Sequence, residues 1–258
     1  MRPLPRATLA RRAPCNDTTI RMTTDSQRKA ARVAGLAYLF TFAAIVFAQF
    51  RIHDHLIVDS SPVETALNIQ THERLFRIGI ACGLFYSAGL VVLLTSLYVV
   101  LEPINRAIAL LCALLRLVYA LVWVRMTLNL LDALRLLRDA DYLRLLGPEH
   151  VHALAMLSLG ERFDEYYVAL LFGALASTGT SYLWFHSRYI PRALAAFGVL
   201  SSLSCAACTL AFIVFPGFKS AVNLWLFDTP MGLFDLGTSF WLLVKGLRPP
   251  RVGPVDLT

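Results

Sequence analysis

Charge is scarce in this sequence. Of its 258 residues only 16% are Asp, Glu, Lys or Arg, while 57% are hydrophobic; soluble domains carry a charged share of about 25%. Catalytic signatures are also missing. No HExxH, GxSxG, Walker loop or dinucleotide fingerprint occurs, so no motif points to a zinc protease, serine hydrolase, NTPase or dehydrogenase. The five cysteines are odd in number and scattered, which gives no disulfide framework. Cys82, Cys112, Cys205 and Cys208 fall in apolar runs, where a thiol behaves as a small hydrophobe. Cys205-Ala-Ala-Cys208 has a redox-like spacing, but its flanks (SSLSCAACTLAF) suit neither a zinc ribbon nor a redox helix start. Small residues for helix packing are the better account of it. With no aromatic–basic module in view, the net charge of +7 is not a nucleic-acid signal.

What the sequence does have is long, unbroken apolar runs. Each is about 20 residues, the length that matches a hydrocarbon core of about 30 Å, and the mean hydropathy is +0.60. The expected fold is all-α: a polytopic membrane protein, with six transmembrane helices over residues 31–247. The spans fall at about 33–50, 78–101, 106–131, 166–185, 193–215 and 226–244. Residues 248–258 form a C-terminal tail. Residues 1–30 are basic, nearly free of acids and broken by Pro3, Pro5 and Pro14, so disorder is expected there. That composition resembles a transit peptide; a start at Met22 is the simpler account.

Two short helices are expected at the membrane interface on the outer side. Pro62 opens the first, an amphipathic helix that runs through THERLFR directly into the second span. The other, around HVHALAMLSL, sits inside the longest loop, 135–162, and is too short to cross. Gly79-x3-Gly83 in the second span, Ala169, Gly173 and Ser177 in the fourth, and Gly198, Ser202 and Ala206 in the fifth are close-packing faces. Arg106, Arg188 and Arg192 lie in the two short turns on the side of the termini. Basic residues in short loops mark the cytoplasmic side, so both termini are expected there, in the cytoplasmic membrane. The lipid bilayer is the one partner implied.

Four segments carry a family resemblance: ARVAGLAYLFTF, ERLFRIGIACGL, LEPINRAIALLCALLRLVYALVW and SRYIPRALAAFGVLS. In this order and spacing, from about Ala31 to Gly246, the chain resembles the DUF4386 family of bacterial polytopic membrane proteins, named for its unknown function. The resemblance implies a six-helix membrane protein and brings no catalytic or binding residues with it.

The third span poses the chemical question. Arg116 lies ten residues into it, at about 15 Å of helical rise and so near the bilayer middle. A charge there costs roughly 2.5–3.5 kcal/mol on insertion scales and needs a partner or a function. Asp235, about nine residues inside the sixth span, is the acid at comparable depth. The pair has two readings: a clasp that fixes which helices are neighbours, or a polar site or proton-linked pathway in the bundle core. Arg125, near the outer boundary, has the length to snorkel; it shares a helix face with Asn129 and Asp132. Asp164, Glu165, Tyr166 and Tyr167 open the fourth span at that level, as a cavity mouth or as an aromatic belt. His53, His55, His150 and His152 fall on the outer side as two His-x-His pairs. Residues two apart on a helix point away from each other, so a shared metal ion is not the expected use. No cofactor is implied.

Three functions follow in order: small-molecule or ion handling through a polar core around Arg116 and Asp235; a non-catalytic structural or regulatory membrane component with those charges as a clasp; and, third, an intramembrane enzyme, for which Asp235 alone supplies too few titratable groups at depth.

Overall fold

The computed structural model describes residues 24–58, 61–138, 147–215, 222 and 224–248. Every element described is helical. Helix α1 (Asp25–Ala48) continues through a π-helical turn, Gln49–His53, and a last turn, Asp54–Leu56. The others are α2 (Pro62–Thr71), α3 (Glu73–Leu101), α4 (Arg106–Arg138), α5 (Pro148–Ser187), α6 (Arg192–Val214) and α7 (Leu224–Val244).

Local chemistry sets the helix ends. The Thr24 hydroxyl accepts from the Gln27 backbone N–H, and the Gln27 amide oxygen accepts from the Thr24 backbone N–H. This capping box starts α1 at Asp25, inside the stretch expected to be unstructured and eight residues before the apolar run begins. Residues 1–23 lie outside the described chain. Ser61 caps α2, with Pro62 in its first turn. One residue, His72 (φ −114°, ψ 37°), then separates α2 from α3, so the two helices meet at a corner rather than running on as one. Helix α5 ends where Arg188 takes a left-handed conformation (φ 57°), followed closely by Pro191, which cannot continue a helix from the residues before it.

The expected interfacial helix at HVHALAMLSL is not a separate element. It forms the first turns of α5, which runs unbroken for 40 residues, about 60 Å. The polar stretch Glu161–Glu165, expected to end it, contains good helix formers and no proline.

The six long helices close into a ring in chain order. Helix α1 packs on α3, α3 on α4, α4 on α5, α5 on α6 and α6 on α7, and α7 returns to α1. Helix α2 lies against α3, α4 and α5. At one end of the ring, Gln27 Nε2 donates to the Val100 carbonyl (3.5 Å), and the Arg248 N–H donates to the Tyr189 carbonyl (3.0 Å). That end holds the start of α1, the end of α7 and the turns 102–105 and 188–191. The opposite end holds α2 and the end of α1.

Small residues let the helices approach. A Cβ on Gly198 would collide with the Phe234 ring of α7 and the Ser181 hydroxyl of α5. One on Gly83 would lie 2.8 Å from the Thr127 hydroxyl of α4.

The polarity of the bundle is inverted relative to a soluble protein. Leu200 is 69% exposed and Leu121, Phe40 and Phe240 also face outward, whereas Arg116 is 5% exposed and Asn129, Thr180, Ser202 and Thr238 are buried. Such an apolar exterior suits lipid rather than water. Among the described residues, five helical stretches are long and apolar enough to cross a membrane: Asp25–Leu56, Glu73–Leu101, Arg106–Arg138, Ala153–Ser187 and Arg192–Val214. Helix α7, 21 residues long, is not among those five; it carries Asp228, Thr229, Pro230 and Asp235.

Candidate functional site

The two acids of α7 face the other helices. Asp228 and Asp235 are seven residues apart, which puts them on one face of α7 about 10.5 Å apart along its axis. Tyr166 of α5 donates its hydroxyl to Asp228 Oδ2 at 2.7 Å. The hydroxyls of Tyr86 (α3) and Tyr119 (α4) share a hydrogen bond of 2.8 Å. Both lie within electrostatic range of both aspartates. Trp123 of α4 holds the three tyrosines edge-on, its ring centroid 4.6 Å from that of Tyr86, 6.3 Å from Tyr119 and 6.1 Å from Tyr166.

Asp235 lies one layer further along the axis, beside Arg116 and Tyr38. The Tyr38 hydroxyl of α1 interacts with both charged groups, and the Arg116 guanidinium carbon is 5.7 Å from the Tyr38 ring centroid. Arg116 and Asp235 attract each other electrostatically. Among the described residues, however, no direct ion pair joins them. Nη2 of Arg116 and Oδ1 of Asp235 are buried without a hydrogen-bond partner.

Polar groups continue the column towards both ends. At the end holding α2, Glu165 accepts from Arg125 Nε (3.1 Å) and from the buried Asn129 Nδ2 (2.8 Å), next in sequence to Tyr166. At the other end a void of about 10 Å³ is lined by Arg116, Cys112, Thr180 and Tyr98, room for about one water molecule. Beyond it, the Tyr98 hydroxyl donates to Glu102 Oε1 (3.2 Å). A second void, of about 20 Å³, lies under the π turn of α1 between His53, Gly79, Gly83, Trp123 and Thr127. π turns of this kind recur at functional sites.

The DUF4386 model, described as a domain of unknown function, matches residues 33–246. The chain belongs to the DUF4386 family. The match runs from Val33 in α1 through the end of α7, including every residue of the column named above. No curated protein and no solved structure matches the chain.

Of the residues singled out in the sequence, Arg116 and Asp235 share one buried layer with Tyr38, and Arg125, Asn129 and Glu165 form one cluster at the column's end. Asp132 is exposed and takes no part in that cluster. The side chain of Asp164 lies outside the described residues. His53 is buried on the π turn, His55 is exposed on the next turn and His150 is exposed at the start of α5; the side chain of His152 lies outside the described residues. Among the described residues, no three His, Cys, Asp or Glu side chains gather as metal ligands. Cys82, Cys112, Cys205 and Cys208 are free thiols.

The residues the sequence reading missed are Asp228, Tyr38, Tyr86 and Tyr119. Asp228 has a signal in the sequence: it is one helical heptad before Asp235 and so shares its face.

Proposed function

We propose that this protein crosses the membrane six times, α7 included, with both termini on the cytoplasmic side of a bacterial cytoplasmic membrane. In this reading its buried core handles a small ion. The chemistry rests on Arg116 and Asp235, supported by Tyr38, with Arg125, Asn129 and Glu165 at one mouth of the column. Lipid is its solvent, and α7 is tolerated there because its acids turn inward, where intramembrane ionisable groups belong.

The observation that carries the reading is that Arg116 and Asp235 each keep a buried polar atom unpaired. A purely structural clasp gains by pairing its charges fully, since an unpaired buried polar atom costs about 1–3 kcal/mol. An Arg116 left partly unsatisfied beside a water-sized void suits a transient occupant instead. The size of the voids favours an ion over an organic substrate, which needs a pocket of roughly 300 Å³ or more.

The test is flux in proteoliposomes under an imposed membrane potential, read with dyes for H⁺, Na⁺, K⁺ and Cl⁻. Flux of one ion is expected, lost in Asp235→Asn while the variant remains monodisperse and helical. The structural reading would stand instead if no ion moved through the wild-type protein and Asp235→Asn mainly lowered its thermal stability.

A further inference from the structure

We propose that the ion is the proton, and that it travels along the bundle axis between the two aspartates of α7 through the hydroxyls of Tyr166, Tyr119, Tyr86 and Tyr38. This deepens the small-ion reading above and rests on it.

The geometry argues for a proton because the column is made of groups that both give and accept one. A carboxylic acid has one O–H donor and remaining acceptor capacity, and a tyrosine hydroxyl has both roles. A metal cation needs several oxygens converging on one point. Here the hydrogen bonds run pairwise, Tyr166 to Asp228 and Tyr86 to Tyr119, with Asp235 beside Tyr38 and Arg116. The void beside Arg116 has room for about one water, less than a hydrated ion needs.

Every helix of the ring contributes to the surroundings of the two carboxyls. Tyr38 comes from α1, Tyr86 from α3, Arg116 and Tyr119 from α4 and Tyr166 from α5. Cys205 of α6 is also within electrostatic range of both aspartates. Arg116 is the one permanent charge among them. It stands beside Asp235, whereas Asp228 accepts from the Tyr166 hydroxyl.

The transfer conserves atoms and charge. One aspartate begins as the acid and the other as the carboxylate. Each intervening hydroxyl accepts a proton on its oxygen as it releases its own to the next acceptor, so no tyrosinate accumulates. The first aspartate ends ionised and the second protonated. Delivery to the ends runs past Tyr166 to the Glu165 cluster on one side, and past the water-sized void to Tyr98 and Glu102 on the other.

The experiment uses the full chain in proteoliposomes with a pH-sensitive dye inside and a potassium diffusion potential across the membrane. Wild-type vesicles should acidify or alkalinise with the sign of the potential. Asp228→Asn and Asp235→Asn should each lower that rate on the order of 100-fold, the size of a lost positioned proton donor. Tyr86→Phe and Tyr119→Phe, which keep the ring and its packing, should lower it on the order of tenfold. Infrared difference spectra between acidic and alkaline buffer add a readout independent of flux. The wild type should show a buried carboxylic-acid band on α7 that disappears in Asp228→Asn or Asp235→Asn. Proton flux and the carboxyl band unchanged in Asp228→Asn, Tyr86→Phe and Tyr119→Phe would overturn the route. Sodium, potassium or chloride flux that depends on Asp235, with no proton flux, would overturn the proton and leave the small-ion reading standing. Absence of flux for all four ions would sink both.

Discussion

Two contacts on Glu165 look alike in distance and differ in consequence. Arg125 and Asn129 both donate to it, at 3.1 and 2.8 Å. The Arg125 side chain is 60% exposed, and exposed ion pairs contribute about 0–1 kcal/mol because water screens them. Asn129 is 2% exposed. Removing a buried donor leaves its acceptor desolvated and unpaired, at a cost of about 1–3 kcal/mol. Thermal unfolding in one detergent should therefore place Arg125→Gln close to wild type and Asn129→Ala clearly below it. The reverse order would mean that the charge, not the buried amide, anchors α4 to α5 at this end. Tyr166→Phe belongs to the same class. It strips the hydroxyl from Asp228 while keeping the ring against Trp123, and a loss of about 1–3 kcal/mol is expected in the same melt. At this scale the sequence was partly legible. Arg116 and Asp235 stand out because each interrupts a long apolar run. Asp228 does not, because it sits near the start of its run, where an acid reads as an end signal. The tyrosines are hidden for another reason: an aromatic ring counts as apolar in any hydropathy pattern, and only tertiary structure shows that the hydroxyls meet.

The six long helices were legible, and their ends were not. Apolar runs identify where a helix must be buried or in lipid, and all six appear within a few residues of their expected cores. Polar flanks carry no such signal, so the capped start of α1 reads as tail and the first turns of α5 as a separate interfacial helix. Packing between helices follows the small residues more faithfully. The Gly198 face of α6 does meet α5, where the Ser202 hydroxyl donates to the Ser177 hydroxyl at 3.4 Å. Gly198 also admits the Phe234 ring of α7, seating the helix that carries both aspartates. Gly198→Ala forces a Cβ into that ring and into the Ser181 hydroxyl, both of them buried. An overpacking loss of about 1–3 kcal/mol is expected, read as a lower melting temperature. Gly160→Ala, with nothing within 4 Å of its new Cβ, should be neutral or slightly stabilising, since alanine is the better helix former. If Gly198→Ala were equally neutral, α7 would not be seated as closely as the structure places it.

Whether the ring is a membrane ring depends on α7, which carries two acids and is not among the five stretches that are long and apolar enough to cross. Its closure against α1 is specific: the Ser239 hydroxyl donates to the Gly35 carbonyl at 2.8 Å, and Gly35 admits the Leu243 side chain. Six crossings return the chain to the side on which it began; five would leave α7 lying along the surface and its end on the opposite side. Single cysteines placed in a background free of native cysteines separate these cases. Ser26 and Lys245 are exposed at the start of α1 and just beyond α7, and Val63 is exposed on α2 at the other end. With a membrane-impermeant maleimide on intact cells, six crossings and cytoplasmic termini require that only the Val63→Cys variant is labelled. After permeabilisation, Ser26→Cys and Lys245→Cys should label too. Labelling of Lys245→Cys together with Val63→Cys would place α7 outside the bilayer. The buried aspartates would then lie at a water-facing edge, and an axial column enclosed by six helices would lose its sixth wall.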